Sequence, residues 1–232
     1  MNKKILAIFA HPDDESFGPG GTLAKHAKAG YEIHILCATR GEAGRTKTGV
    51  DAGDVRAEEL LRAGKVLGIK KVEFLDFRDG ELSNNKYHKL AEAILEKIKK
   101  FKPEIILTFE NLGVSGHLDH ITVSLATTYA FRKQKIARKL YYYCIPRWRA
   151  RVFNKYFIFF PPGYKEEEIT TTIDITDVWE VKIEAMKQHK SQLVDVRKIL
   201  RKSERLPKLE HFIRFDEEHS LTGLRETDFF DP

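Results

Sequence analysis

The chain reads as an α/β protein built on a Rossmann-like, mostly parallel sheet flanked by helices, with additional strands and helices towards its C-terminus. Three observations carry that reading. The run Ile5-Leu6-Ala7-Ile8-Phe9-Ala10 is continuously apolar and stops abruptly at His11-Pro12-Asp13-Asp14-Glu15. That is the pattern of a buried strand delivering polar side chains to its carboxyl end. Strand-like and helix-like stretches then alternate, a β-α-β-α rhythm that predicts parallel pairing with right-handed crossovers. Gly30, Gly68 and Pro103 punctuate the rhythm where helices should stop and strands begin.

Each element has its own signal. Residues 21–29 place Leu23, Ala24 and Ala27 at helical spacing before Gly30, and Tyr31 to Thr39 alternates and then runs apolar as a second strand. Asp54 reads as the N-cap of a helix carrying Val55, Leu60, Leu61, Val66 and Leu67, stopped by Gly68. Val72 to Leu75 is a third strand, Lys86 to Phe101 an amphipathic helix, and Glu104 to Phe109 a fourth strand. From Lys139 the rhythm changes: Leu140–Ile145, Tyr156–Phe160 and Thr170–Ile175 are strand-like, and Asp177 reads as the cap of a helix ending at His189. Residues 198–232 are charged with scattered aromatics, and helix pieces with an irregular tail are expected there. The organisation predicted is one domain over 1–232, with a Rossmann-like core at 3–135 and elements at 139–232 completing the fold and the pocket.

At 232 residues the chain has ample material for a core, and 42% hydrophobic with 32% charged residues excludes a disordered protein. No apolar stretch approaches the ~20 residues that span a bilayer, and residues 1–10 lack a cleavage site before His11, so a cytoplasmic protein is expected. The two cysteines, Cys37 and Cys144, lie in apolar runs, which excludes a disulfide framework or a Cys-rich zinc site. The net charge of +6 is dispersed in solvated helix faces without a nucleic-acid motif.

The chemistry gathers in two places. His11, Asp13, Asp14 and Glu15 crowd an imidazole and three carboxylates at one strand end, a repulsion that a divalent cation relieves. A second cluster, His117-Leu118-Asp119-His120, follows the apolar run Ile105 to Phe109. Parallel topology brings such strand ends to one edge, where ligands sit in open α/β sheets. The turn Gly18-Pro19-Gly20-Gly21 does not match the Gly-x-Gly-x-x-Gly dinucleotide fingerprint, and it follows acids that repel a pyrophosphate.

Ala10 to Glu15, followed by Gly20-Gly21-Thr22-Leu23-Ala24 and about a hundred residues later by His-x-Asp-His, resembles the zinc-dependent LmbE/PIG-L-type N-acetylglucosaminyl deacetylases over Lys3 to roughly Gln192. The resemblance implies His11, Asp14 and His120 as ligands of Zn2+, with another divalent metal left open by geometry. A zinc on three protein ligands keeps a position for water and lowers its pKa towards ~7. The implied general base is Asp13, preferred to Glu15 on geometry. His117 is implied to stabilise the tetrahedral oxyanion, with Asp119 orienting it. Leu118 stands where the family motif often has proline.

Arg40 and Arg56 are the candidate substrate-binding residues, each with an ion pair to Glu42 or Glu59 as the competing reading. His189 in His189-Lys190-Ser191-Gln192 resembles a family helix end near the site, with a core histidine or one complementing the helix dipole as the competing reading. Trp148, Tyr142 and Phe159-Phe160 are candidates for a sugar-stacking wall, with core packing as the commoner role for such runs. The expected reaction is hydrolysis of the N-acetyl group of an amino-sugar substrate. Its competitors are another N-acyl amine, a nucleotide-binding α/β protein and a non-catalytic binding module. Relatives of this kind are often oligomeric, so a homo-oligomer is open, although no stretch marks an interface.

Overall fold

Buried on both faces, Lys4–Phe9 (β1) and Ile105–Phe109 (β4) form the centre of a seven-stranded sheet, and Ile5, Ala7, Ile8, Ile106 and Leu107 are all fully enclosed. The structure, a computed structural model, describes residues 3–44, 51–153, 159–217 and 223–230. The strand order is β3-β2-β1-β4-β5-β7-β6, with Glu32–Cys37 as β2, Lys71–Phe74 as β3, Lys139–Cys144 as β5, Thr171–Asp174 as β6 and Leu209–Arg214 as β7. Strands β1 to β5 pair in parallel, whereas β7 pairs antiparallel with both β5 and β6. The fold class is the one read from the sequence.

The helices are Asp14–Phe17 (α1), Gly20–Lys28 (α2), Ala52–Leu67 (α3), Asn84–Phe101 (α4), Gly113–Gly116 (α5), Leu118–Arg132 (α6), Arg147–Phe153 (α7), Trp179–Gln188 (α8) and Leu193–Ser203 (α9). Amphipathic periodicity explains α4, which turns Leu90, Ala91, Ile94 and Ile98 inward. Helix α3 ends on Gly68 at φ 78°, as its sequence predicts. Its start differs: Asp51, not Asp54, is the N-cap, and its side chain accepts from the Gly53 N–H at 2.8 Å. Asp177 likewise does not cap α8; it lies in a 3-10 turn over Thr176–Val178, and α8 begins only at Trp179. The charged stretch after 198 holds strand β7, whose Phe212 is fully buried against Tyr143 and Phe229. Strand formation there is decided by partners on both sides, a tertiary effect that overrides its polar composition. The expected strand 156–160 falls largely outside the described residues.

Strand β2 lies on one side of β1 and β4 on the other, so the chain reverses its direction of sheet growth between β1 and β4. That switch point is where a crevice opens beyond the carboxyl ends of the strands. The segments following β1 and β4 both empty into it.

Candidate metal site and its cavity

His11 leaves the end of β1 with its side chain almost fully buried, and its own N–H donates to Asp14 Oδ2 at 2.7 Å. His120 enters from the first turn of α6, which begins after the N-cap residue His117. Its ring stacks on Phe109 at a centroid distance of 4.1 Å, and its Nδ1 meets the Gly113 carbonyl at 3.0 Å. A carbonyl accepts only, so Nδ1 carries the proton and Nε2 presents a lone pair. Gly113 is held at φ 68°, and a Cβ there would come within 2.9 Å of His120 Cβ, so glycine is required for this contact.

Three groups converge. His11 Nδ1 lies 3.2 Å from His120 Nε2, His120 Nε2 lies 3.2 Å from Asp14 Oδ1, and His11 Nδ1 lies 3.7 Å from Asp14 Oδ2. Zinc–ligand bonds of about 2.0–2.2 Å at tetrahedral angles separate ligand atoms by roughly 3.3–3.6 Å. The donor set therefore fits a small divalent cation. His117 also brings a ring nitrogen within 4.8 Å of those of His11 and His120. However, its Nδ1 accepts from the Asp119 N–H at 3.1 Å, which puts the ring proton on Nε2 and makes that nitrogen a donor.

The far side of His11 is equally defined. Its Nε2 faces Asp79 Oδ1 at 2.9 Å and Asp119 Oδ2 at 3.2 Å, and the Asp119 carboxylate also accepts from the Gly80 N–H at 2.8 Å. A carboxylate behind a ligating imidazole fixes its tautomer and raises its basicity. Burial opposes charge on His11, but the hydrogen bonds to Asp119 and Asp79 and the charge of Asp14 outweigh it and push its pKa up to about 10. The same field favours any positive charge at this point. Asp14 is buried too, yet the neighbouring His120 and His11 hold its carboxyl well below the usual range. Burial drives His117 the other way, down to about 4, with His11 and His120 adding to the effect, so it stays neutral.

Asp13 sits beside this cluster in a strained backbone, at φ 114°. Arg56 secures it. The guanidinium Nη2 donates to Asp13 Oδ2 at 3.0 Å and to the Pro12 carbonyl at 2.8 Å, while Nη1 donates to the Gly41 carbonyl at 3.0 Å. Glu15 Oε2 accepts the Asp13 N–H at 3.1 Å, and Glu15 Oε1 is bound by His189 Nε2 at 2.7 Å. Burial, helped by the charge of Asp14, outweighs the opposing Arg56 and pushes the Asp13 carboxyl up to about 6.

His11, Asp13, Asp14, Asp79, Arg56, His117 and His120 line a cavity of about 390 Å³. Several expectations are corrected here. The Asp119 carboxylate bonds His11, whereas Asp119 meets His117 through its main-chain N–H. Arg56 pairs with Asp13 and Asp79, not with Glu42 or Glu59, and its buried guanidinium is largely committed to protein acceptors. Arg40 is absent from the cavity wall; it bonds Asp76 at 2.9 Å and lies over the Phe74 ring. Glu15 points into the core towards His189, away from the cavity. Of the proposed aromatic wall only Phe160 lines the cavity, joined by Phe17, Phe109 and Tyr143, while the Tyr142 hydroxyl is bound to Thr128.

Sequence reasoning missed Asp79, one of three acids (Asp76, Asp79, Glu81) in a loop whose signal is its place after a third parallel strand. It also missed Glu110, buried at the end of β4. Glu110 accepts from the Leu112 N–H at 2.6 Å, the Val114 N–H and the Tyr164 hydroxyl, which holds the cavity-lining turn of α5 with Val114 at φ 62°.

A mostly parallel α/β sheet with a buried His/Asp cluster opening on a cavity at its switch point defines the class: an α/β enzyme with a site able to hold a metal. The chain belongs to the GlcNAc-PI de-N-acetylase (PIG-L) family, whose sequence pattern matches residues 6–131. It is 32% identical over 202 residues to the diacetylchitobiose deacetylase of Thermococcus kodakarensis, covering 82% of this chain and 70% of that one. It is 28% identical over 228 residues to the 1D-myo-inositol 2-acetamido-2-deoxy-α-D-glucopyranoside deacetylase of Actinosynnema mirum, covering 82% and 81%. The fold is also shared with the 4-carboxy-2-hydroxymuconate hydratase of Pseudomonas putida KT2440, at a TM-score of 0.70 and 20% identity over 92% of this chain and 96% of that one. The same scaffold thus serves a different reaction, and the function has to be argued from the site.

Proposed function

We propose that the chain is a metal-dependent hydrolase that removes the N-acetyl group from an N-acetylglucosamine-type substrate, releasing acetate and a free amine. The observation that carries this reading is the approach of His11 Nδ1, His120 Nε2 and the Asp14 carboxylate to 3.2–3.7 Å of one another, with Asp13 beside them. The deacetylase names of the relatives support the same substrate class.

His11, Asp14 and His120 are the residues assigned to hold the cation, with Zn2+ favoured by the nitrogen–oxygen donor set. When bound, the cation supplies Lewis-acid polarisation of the amide carbonyl and a water of lowered pKa. Asp13 is assigned as general base. Its Oδ2 is anchored on Arg56, which leaves Oδ1 to take the proton of the attacking water and to return it to the leaving amine. His117, neutral and protonated on Nε2, is assigned as the donor to the tetrahedral oxyanion. Asp119 and Asp79 keep the His11 Nε2 proton in place, and His120 is kept in register by Gly113 and Phe109.

The nucleotide reading has lost its support. The N-terminus of α2, behind the glycine turn, already carries the Glu210 carboxylate, which accepts from the Gly21 and Thr22 N–H groups at 2.9 and 2.7 Å. A phosphate has no place there. We also read residues 1–232 as one domain, because β7 and β6 extend the same sheet, and place the protein in the cytoplasm, where its buried free thiols Cys37 and Cys144 suit a reducing environment. Among the described residues no helix is long and apolar enough to cross a membrane.

The test is acetate release from a panel of N-acetylglucosamine glycosides and unrelated N-acyl amines, with metal stripped and restored. Activity should vanish with the metal and return with it, and the sugar amides should lead the panel. Turnover that survives complete metal removal would overturn the proposal.

A further inference from the structure

The orientation of the His120 ring depends on the turn of α5. The Gly113 carbonyl takes the Nδ1 proton at 3.0 Å, which leaves Nε2 to face His11 and Asp14. Phe109 stacks on the ring but offers no acceptor, so it supports the plane of the imidazole without choosing its tautomer. The turn that presents the carbonyl runs against ordinary backbone preference. Gly113 sits at φ 68° and Val114 at φ 62°, a left-handed conformation that a β-branched residue rarely adopts. Such a turn persists only where its surroundings over-determine it.

Glu110 supplies that restraint. It is only 2% exposed, and its Oε2 accepts from the Leu112 N–H at 2.6 Å and its Oε1 from the Val114 N–H. Its own carbonyl accepts from the Gly113 N–H at 2.8 Å. Three consecutive amides are thus turned onto one residue, and the Gly113 carbonyl goes to His120. The Tyr164 hydroxyl donates to Glu110 Oε2 at 2.6 Å. Tyr164 is fixed in turn beyond the end of β5: its N–H donates to the Ile145 carbonyl at 3.0 Å, and its carbonyl accepts from the Arg147 N–H at 2.8 Å. Burial and the neighbouring Glu110 hold the Tyr164 hydroxyl well above the usual phenol range, so it stays a donor. These donors to the carboxylate are all neutral, and a carboxylate enclosed among neutral donors weighs against stability. What it secures is local, the acceptor behind a ligating imidazole.

We propose that Glu110 and Tyr164 are positioning residues for the metal site, acting through the Gly113 carbonyl to fix His120 in the tautomer and orientation that turn Nε2 to the cation. The inference rests on the assignment of His120 as a ligand in the deacetylase reading. Groups behind a ligating histidine typically change metal affinity 10- to 100-fold.

The test is the zinc affinity of the full chain, measured without substrate by competition with a chromophoric chelator. Glu110→Gln keeps the size of the side chain but sets an NH2 group against one of the amides it held, and it should weaken zinc binding by roughly 10- to 100-fold. Tyr164→Phe removes one donor and should weaken it by about 3- to 10-fold. In the zinc-loaded wild type the His120 Nδ1 proton, followed by heteronuclear NMR, should be protected from exchange with water. In Glu110→Gln it should exchange about tenfold faster or more. Lys182→Met is the control for a merely structural role: it should lower stability and leave zinc affinity and the His120 proton unchanged. Equal zinc affinity in the wild type, Glu110→Gln and Tyr164→Phe would overturn the proposal, as would an equal loss of affinity in Lys182→Met. If Glu110→Gln does not fold, Tyr164→Phe decides by the same measurements. A wild type that binds zinc but deacetylates no amide of the panel fails the hydrolase reading and leaves these measurements to decide for or against Glu110 and Tyr164. A wild type without zinc affinity overturns both.

Discussion

Two groups of buried charges stand close together in this protein and differ in one respect. Lys182 and Glu210 form a closed set: Lys182 Nζ reaches Glu210 and the Gly18 carbonyl, each at 2.5 Å, and the Glu210 carboxylate also caps α2 through Gly21 and Thr22. The His11, Asp14 and His120 set is open, with its nitrogen lone pairs and carboxylate facing one another and a cavity. Both sets are withdrawn from bulk solvent, the open one slightly less because His120 is half-buried. The difference teaches that a buried ion pair with every partner inside the protein belongs to the fold, whereas a buried cluster whose acceptors outnumber its donors and which opens to solvent marks a site. Gly21 shows the structural purpose of the closed set, because a Cβ there would come within 2.5 Å of Ile175, so α2 must dock tightly.

The contrast is broken most directly at Asp13. Asp13→Asn should lower kcat by about 10²- to 10⁴-fold while the metal content of the purified protein and its unfolding midpoint change little. A variant that loses its metal along with its activity would instead put Asp13 among the ligands. The opposite behaviour is expected in the closed set. Lys182→Met leaves Glu210 uncompensated and should cost about 3–5 kcal/mol of stability by urea unfolding, and the double variant Lys182→Met/Glu210→Gln should recover much of it. Turnover per folded molecule should hold in both. A loss of turnover without a loss of stability would move the pair into the catalytic machinery.

The smallest effect is read by pH. His211, beside Glu210 on β7, is driven down to about 4 by burial and by Arg149. The unfolded chain, titrating near 6.5, therefore takes up a proton first as the pH falls. The stability associated with neutral His211 is complete above about pH 6.5 and is lost through the window down to about pH 4, by at most about 3 kcal/mol. Urea midpoints between pH 7 and 4.5 should fall in the wild type and fall less in His211→Gln, and identical slopes would remove His211 from the acid limb.

Much of the central sheet was legible because its signals are local. A strand buried on both faces must be continuously apolar, as Ile5 to Phe9 and Ile105 to Phe109 are, and a helix stopped at Gly68 needs the left-handed residue found there. Strand β7 was illegible because its pairing with β5 and β6 is its main support. In the site, the groups that touch across the switch point were named in advance, but the supporting contacts were not. The Asp119 carboxylate turned to His11, Arg56 to Asp13, and Asp79 joined from a loop without any motif.

The sequence by itself determined which side chains are available at each strand end, through hydrophobic runs that stop where polar residues begin. Only the tertiary structure decided which carboxylate stands behind which imidazole and which acids the buried arginine Arg56 holds. Those choices depend on distances of 3 to 4 Å between residues as many as 109 positions apart, and no local pattern of the chain encodes them.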